Sequence, residues 1–533
     1  MPPNTRRFSD PSIESVIHGW KTSPSTHPLI GDWRRVGYRR GKKPSQKVGT
    51  ITRGSNIGIV PGPNDSSTAI QQALDDLGKR GGGILELESG TYRLERPLLF
   101  TKSNVVLRGA GKNETILHFP NPLAKVFGKA PLNDSTCWSW TGGQVFFISP
   151  ERLGMLAANG WSSTPPASEG WLGGKTLANL SPAPRGARVL EMPSTRFLSE
   201  GEMVLLEIPD DASHTIFKEA AGNVEGADEY DWDRRASTIA GPNRYSDFEA
   251  FRWPVVISKI LSDRTVLIEQ PLRLSIIGKA RLRKLGNAVS DSGVESLTID
   301  NSLLPQTTHN INPGSNGICF QAVHDCWAQD IHVTNADVAF AMTSAKSCYL
   351  AGISAGGRSL HHFVVCRVQS HDNLIEDFEL EEFSVPAAQG SYLHGLNVEG
   401  LSSGNVYRRG FMHTGTFDSH RQLPFENLRT AIKIANKDAV PGGALNGGPY
   451  FGARTVNWGI EVSGGNNLCM DITDIAPKSL TAGITGLSKP GSILPSGGMD
   501  FTGDLESETI AFGVPLDADK DLLEVQRDVA PVN

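Results

Sequence analysis

Four stretches carry the organisation of this chain: ICFQAVHDCWAQDIHV (318–333), VAFAMTSAKSCYLAGIS (338–354), HFVVCRVQSHDNLIEDFEL (362–380) and GLNVEGLSSGNVYRRGFM (395–412). Each reads as a strand, a polar corner and a second strand. Aligned on the first residue after the corner, they place Cys326, Cys348, Asn373 and Asn405 in one column, at intervals of 22, 25 and 32 residues. Recurrence at 20 to 50 residues is the signature of a solenoid whose longer intervals absorb loops. ARTVNWGIEV (453–462) looks like a further coil.

The alignment makes claims about faces. Seven residues before the corner stand Cys319, Ala341, Cys366 and Val398, and nine before it Gly317, Ala339, Val364 and Leu396. Both columns are small and apolar, as the interior of a narrow parallel stack with strands about 4.8 Å apart requires. Cys326 and Cys348 fall on adjacent coils but are expected as thiols, because six cysteines in 533 residues without a CxxC pair make no disulfide scaffold. Six residues before the corner the column reads Phe320, Met342, Arg367, Glu399, so Arg367 and Glu399 are expected side by side. Eleven before it stand Ser315, Asp337, His362 and His394, which sets two histidines on neighbouring coils, with Asn397 projecting on the same side as Glu399.

Upstream, GPNDSSTAIQQALDDLGKRGGGILELESGTYRLERPLLFTKSNVVLRGAG (62–111) begins with the capping-type residues Asn64, Asp65 and Ser66. Ile70, Ala73, Leu74 and Leu77 then follow at helical spacing, Gly81 to Gly83 end the helix, and alternating strands come next. This segment resembles the N-terminal part of the pectate-lyase-like superfamily. The resemblance covers about fifty residues and implies an all-β chain: a right-handed parallel β-helix with an N-terminal capping helix, in which the GAG at 109–111 is a turn. Lyases, glycoside hydrolases and phage tailspikes share that fold, so it implies a carbohydrate-active protein without choosing the reaction.

The rest divides by composition. Residues 1–50 are Pro- and Lys/Arg-rich and read as an arm on the body, and 51–120 supply the capping helix and first coils. Residues 121–285 change to antiparallel patterning, as in GARVLEMPSTRFLSEGEMVLLEIP, and read as a β-rich insertion; 286–475 hold the main coils, and 476–533 a wrap ending in a short helix at DKDLLEVQRD. Six tryptophans (Trp138, Trp140, Trp161, Trp171, Trp232, Trp253) fall in the inserted stretch, either as core or as faces for sugar rings.

Charge excludes some functions. A net charge of −6 with no polybasic run gives no attraction for nucleic acid, and no apolar stretch is long enough for a membrane span. The first thirty residues lack a signal-peptide core, which makes the expectation cytoplasmic for the sequence as given and secreted if a signal was removed. Oligomeric state is not encoded in any recognisable pattern.

Nine of the thirteen histidines lie between 309 and 420, and HTGTFDSHRQLPFEN (413–427) adds acids and an arginine to them. Asp418 and His420 are two apart and share one side of an extended segment. The expected site therefore joins His362, His394, His413, Asp418, His420, Arg421 and Glu399 from neighbouring coils. For a lyase acting on a uronic-acid glycan, the carboxylate must be neutralised, the C5 proton removed and the C4 oxygen released. Arg421, Arg358, Arg367 and Arg454 are the candidates to grip the carboxylate. His420 or His394 is the candidate base, with Asp418 orienting the ring and Asn397 polarising the carboxyl group.

A glycoside hydrolase or an intramolecular glycosyl transferase would instead use a carboxyl pair drawn from Asp418, Glu399 and Glu426. A non-catalytic glycan-binding β-helix would use the same cluster for docking. The WIDH-type stretch and RxPxxR motif of pectate lyases are both absent, and HDNLIED, HGLNVEG and RTAIKI only loosely echo the polygalacturonase elements, so no catalytic residue is carried across. Calcium, common among the lyases, is left open, although DFELEEF (377–383) reads as a solvated acidic strand edge. No HExxH occurs, and no metal ligand is assigned.

Overall fold

A computed structural model describes residues 12–44, 49–128, 131–132, 135–136, 138, 142–158, 170–232, 250–308, 311–389, 391, 393–420, 422–435, 449–463, 472–487, 501–517 and 521–529. Two long parallel sheets wind through it. The longer runs from Ile51–Arg53 through Gly83–Glu86, Val105–Arg108, Gly293–Asn301, Trp327–Thr334, Tyr349–Gly356, Leu374–Leu380, Val406–Met412, Leu428–Ile434 and Val456–Val462 to Leu480–Ala482 and Glu508–Ile510. The shorter stacks Leu98–Phe100, Val145–Ile148, Ile318–His324, Val338–Lys346, His362–Arg367, Gly395–Val398 and Thr416–Ser419. The chain alternates between the two sheets once per coil, and each return to a parallel neighbour takes the right-handed crossover. The result is a right-handed parallel β-helix.

The interior follows from the pairing. Leu85, Leu107, Val294, Ala328, Leu350, Ile375 and Tyr407 are successive register partners on the long sheet, all buried. They face Phe320, Met342, Cys366 and Val398 of the short sheet in one core. At the expected corner column, Asn373 donates to Asn405 Oδ1 at 2.8 Å and Asn405 to Asn427 Oδ1 at 3.0 Å. This ladder satisfies buried corner amides that a bent backbone leaves without sheet partners. The four described cysteines, Cys319, Cys326, Cys348 and Cys366, are buried thiols.

The short-sheet register differs by one residue from the sequence alignment in the first two coils. Ala341 pairs with Val365 and Met342 with Cys366, so Cys319, Ala341, Val365, Asn397 and Asp418 form one outward column. The cause is corner length: Thr343 lies five residues before Cys348, whereas its partner Arg367 lies six before Asn373.

The capping helix spans Ser67–Lys79, with Ile70, Leu74 and Leu77 turned onto the first coils. The arm forms a helix, Ile13–Thr22, and then lays Trp20, Trp33, Val36 and Tyr38 over the outer column Trp327, Tyr349, Leu374, Val406 and Leu428 of the long sheet. The terminal helix Leu522–Arg527 joins that layer, with Gln526 accepting from Trp33 N at 2.8 Å. The described tail thus does not simply cover the last coil.

Between Gly173–Leu180 and Ala280–Leu285 a six-stranded antiparallel sheet is inserted. Val145–Ile148, inside the stretch expected to be inserted, is instead a coil of the body, because VFFI has both faces buried in the stack. The insertion's core is continuous with Val368, Leu401, Leu423 and Phe425 at the coil corners. A charged network also holds it: Asp372 accepts from Lys346, Arg273, Gln270 and Trp253. The described tryptophans of the stretch, Trp138, Trp171, Trp232 and Trp253, are buried and serve as core; Trp140 and Trp161 lie outside the described residues.

Candidate functional site

The outward face of the short sheet turns polar at its last coils. Apolar Cys319, Ala341 and Val365 give way in the same column to Asn397 and Asp418. Asn397 Nδ2 donates to Asp418 Oδ2 at 2.5 Å across the rungs, and His420 Nδ1 meets the same oxygen at 2.8 Å. His394 Nδ1 stands 3.8 Å from it. Burial alone would raise the Asp418 carboxyl, but the neighbouring His420 and His394, with the hydrogen bonds from His420 and Asn397, hold it below the usual carboxylate range. Asp418 Oδ1 has no hydrogen-bond partner among the described residues.

Two coils supply the remaining rings. His362 stacks on His394 with centroids 4.9 Å apart, and His394 meets His420 edge-on at 4.7 Å. Close approach of the coils here depends on Gly395: its φ is +93°, and a Cβ there would stand 2.3 Å from the Thr416 carbonyl oxygen. On the next outward position Arg367 Nε donates to Glu399 Oε1 at 2.9 Å, and both are buried.

His362, His394, Asn397, Asp418 and His420 therefore converge as the coil alignment anticipates, with Arg367 and Glu399 paired beside them. Other expected members lie elsewhere. His413 is on the outer side of the long sheet, 3.0 Å from Glu379 and against the Phe411 ring, because it follows the end of the strand Val406–Met412 and not a short-sheet strand. Arg358 donates to Asp337 Oδ1 at 2.6 Å and to two backbone carbonyls.

Glu426 binds Arg454 at 2.5 Å, Arg185 at 3.0 Å and Arg273 at 3.4 Å, tying a corner to the insertion. Burial raises its carboxyl but those arginines bring it below the usual range. Arg421 lies outside the described residues.

Two residues join the site without having been singled out from the sequence. His361 packs against His362 at 4.3 Å and His394 at 5.1 Å. Its only signal is the HH doublet preceding a strand. Arg429 donates to the Asp418 carbonyl at 3.1 Å and covers the Phe417 ring; burial lowers its guanidinium to about 10. It opens RTAIKI (429–434), whose loose echo of the polygalacturonase elements carried no residue across.

Calcium does not fit. On the acidic strand Glu376 and Asp377 are ion-paired with Arg409 and Glu379 stands 3.0 Å from His413, and the converging donors of the site are chiefly nitrogen, whereas calcium takes oxygen.

Fold and site together define a right-handed parallel β-helix with a buried His–Asp–Asn cluster on the outer face of its short sheet. No family model and no curated relative matches the sequence. Among solved structures the chain is similar to the tailspike protein gp49 from Pseudomonas phage LKA1, at 13% identity over 84% of this chain and 69% of that one, TM-score 0.42. The A-module of the Azotobacter vinelandii mannuronan C-5 epimerase AlgE4 is similar at 10% identity over 88% of this chain and 97% of that one, TM-score 0.33. The tailspike of E. coli bacteriophage HK620, in complex with a pentasaccharide, is similar at 12% identity over 88% of this chain and 63% of that one, TM-score 0.38.

Proposed function

We propose that this protein is a carbohydrate-active enzyme that cleaves a uronic-acid-containing glycan by β-elimination, with His420 as the base. The observation that carries the reading is the Asp418–His420 pair. An imidazole whose Nδ1 is held by a buried carboxylate keeps its proton on that nitrogen and presents Nε2 as the acceptor. In the reaction the C5 proton passes to Nε2, the electron pair of the C–H bond forms the C4–C5 double bond, the C4–O bond breaks, and the leaving oxygen takes a proton from water.

Hydrolysis by two carboxyl groups needs one of them protonated as general acid. None of the candidates is placed for that. Asp418 accepts from His420 and Asn397, Glu399 is paired with Arg367, and Glu426 is held among three arginines. Asp418 and Glu426 are held below the usual carboxylate range by these neighbours, and Glu399 is engaged by Arg367.

The test is incubation of the full chain with a panel of uronic-acid polysaccharides and oligosaccharides, monitoring the ultraviolet absorbance of the unsaturated product. Absorbance that appears with wild type and disappears with His420→Ala supports elimination. New reducing ends without absorbance would establish hydrolysis, and binding without turnover a docking protein.

A further inference from the structure

We propose that His361, His362 and His394 form a binding site for a divalent transition-metal ion of the zinc class. One ring nitrogen from each lies within 4.8 Å of the others, and all three side chains are buried. Tetrahedral coordination at about 2.0–2.1 Å places nitrogens about 3.3 Å apart, within reach of small ring rotations from this arrangement.

The backbone explains how two adjacent residues serve one site. Consecutive residues on a regular strand point to opposite faces. Here the register shifts between His362 and Val364: His362 pairs with Gly395 and Val364 with Leu396, so Phe363 is an extra residue that enters the core. His361 itself stands at the bend just before the strand His362–Arg367, so strand alternation does not govern it, and the two imidazoles come within 4.3 Å. The main chain is fixed without a ligand: His361 N donates to the Asp337 carbonyl at 2.8 Å and His394 N to the His361 carbonyl at 2.9 Å. The Asp337 carboxylate is in turn locked by Arg358, Gly314 N and Ser315 N.

The donor chemistry selects the ion. Three imidazoles suit zinc and its transition-metal neighbours, which accept nitrogen, and not calcium or magnesium, which demand oxygen. Outside this shell the Asp418 carboxylate stands 3.8 Å from His394 Nδ1, on the side where metal-bound histidines commonly back onto a carboxylate. Residues 361 and 394 are 33 positions apart, so no local spacing in the sequence reveals the set. The role of the ion, though not its binding, rests on the elimination reading. It would neutralise the substrate carboxylate, a task for which Arg358, Arg367 and Arg454 are already engaged with Asp337, Glu399 and Glu426.

Calorimetric titration of the chelator-treated full chain with zinc chloride, without glycan, tests the site. One equivalent should bind in the micromolar range or tighter, and His362→Gln and His394→Gln should each weaken binding by about 100-fold or more, while His413→Ala leaves it unchanged. Should either variant fail to fold by circular dichroism, X-ray absorption at the zinc edge of the wild type replaces it, with a first shell containing three imidazole nitrogens expected. No binding at millimolar zinc, binding indifferent to both variants, or a sulfur- or oxygen-only shell would overturn the proposal. Because the readout is binding, an inactive protein that holds zinc sinks the elimination reading alone, and an active one that holds none sinks the metal site alone.

Discussion

His420 Nδ1 stands 2.8 Å from Asp418 Oδ2, two residues earlier on the same rung, while Asn397 of the preceding coil donates to that same oxygen at 2.5 Å. The carboxylate therefore fixes the ring from one side and is itself fixed from below. Asp418→Asn keeps the shape but turns an acceptor into an amide that can donate to Nδ1, which moves the imidazole proton to Nε2 and removes the base. The expected loss is about 10²–10⁴-fold in kcat with little change in KM, read from the rate of unsaturated product. A kcat within a few-fold of wild type would remove His420 from the base role.

The Arg367–Glu399 pair separates support from recognition. Both groups are buried, so Glu399→Gln removes the carboxylate to which Arg367 Nε donates, at a cost of about 3–5 kcal/mol in urea unfolding. Replacing both, as Arg367→Met with Glu399→Leu, should recover most of that stability, since a buried pair is often dispensable to folding. If Arg367 also contacts the substrate carboxylate, the stable double variant will show a raised KM; unchanged kinetics would make the pair structural only.

The corner column was legible in the sequence because Cys326, Cys348, Asn373 and Asn405 are compact residues recurring at one point of the coil, and the long-sheet register confirms it through the partners Trp327, Tyr349, Leu374 and Val406. The short sheet slipped by one for a reason the alphabet does not display: a corner may gain a residue while both its strands keep their pattern. Arg367–Glu399 survived, since both lie on the two coils that share the longer corner, whereas the His362 and His394 rings stack even though the shift at Phe363 sets His362 against Gly395. His413 was misplaced because nearness in sequence to Asp418 hides a change of sheet between them. His361 was missed because strict alternation assigns it the face opposite His362, whereas it stands at a bend before the strand begins.

The asparagine ladder should carry measurable stability. Asn405 accepts from Asn373 and donates to Asn427 Oδ1 and the Ser370 carbonyl, all in the interior. Asn405→Ala strands partners above and below it, and each unsatisfied buried group costs about 1–3 kcal/mol. A loss of about 2–4 kcal/mol in chemical unfolding is expected, with activity of the folded fraction intact. A loss under 0.5 kcal/mol or so would mean that water replaces the side chain in the ladder.

His371 gives the protein an acid-sensitive joint between body and insertion. Its Nδ1 accepts from Ser403 N at 3.3 Å and its Nε2 donates to the Arg252 carbonyl at 3.0 Å, a pattern only the neutral ring satisfies. Burial, with Arg273 and Lys346 nearby and Asp372 only partly opposing them, lowers it to about 3. The unfolded chain takes up that proton near the ordinary histidine value of about 6.5, whereas the folded protein does not until about pH 3. The unfolded state thus binds more protons throughout this window, so stability is highest above it and falls as the pH drops. The contribution is at most about 1.4 kcal/mol per pH unit. Asp372, which burial raises but Arg273 and Lys346 hold far below the carboxylate range, adds its own loss only once the unfolded carboxylate protonates near pH 4 or so. Between those limits the slope belongs in part to His371, and unfolding of His371→Gln across pH 7 to 4.5 or so should be flatter by up to one proton's worth. An unchanged slope would mean that His371 charges within the folded protein, which the Ser403 and Arg252 contacts forbid.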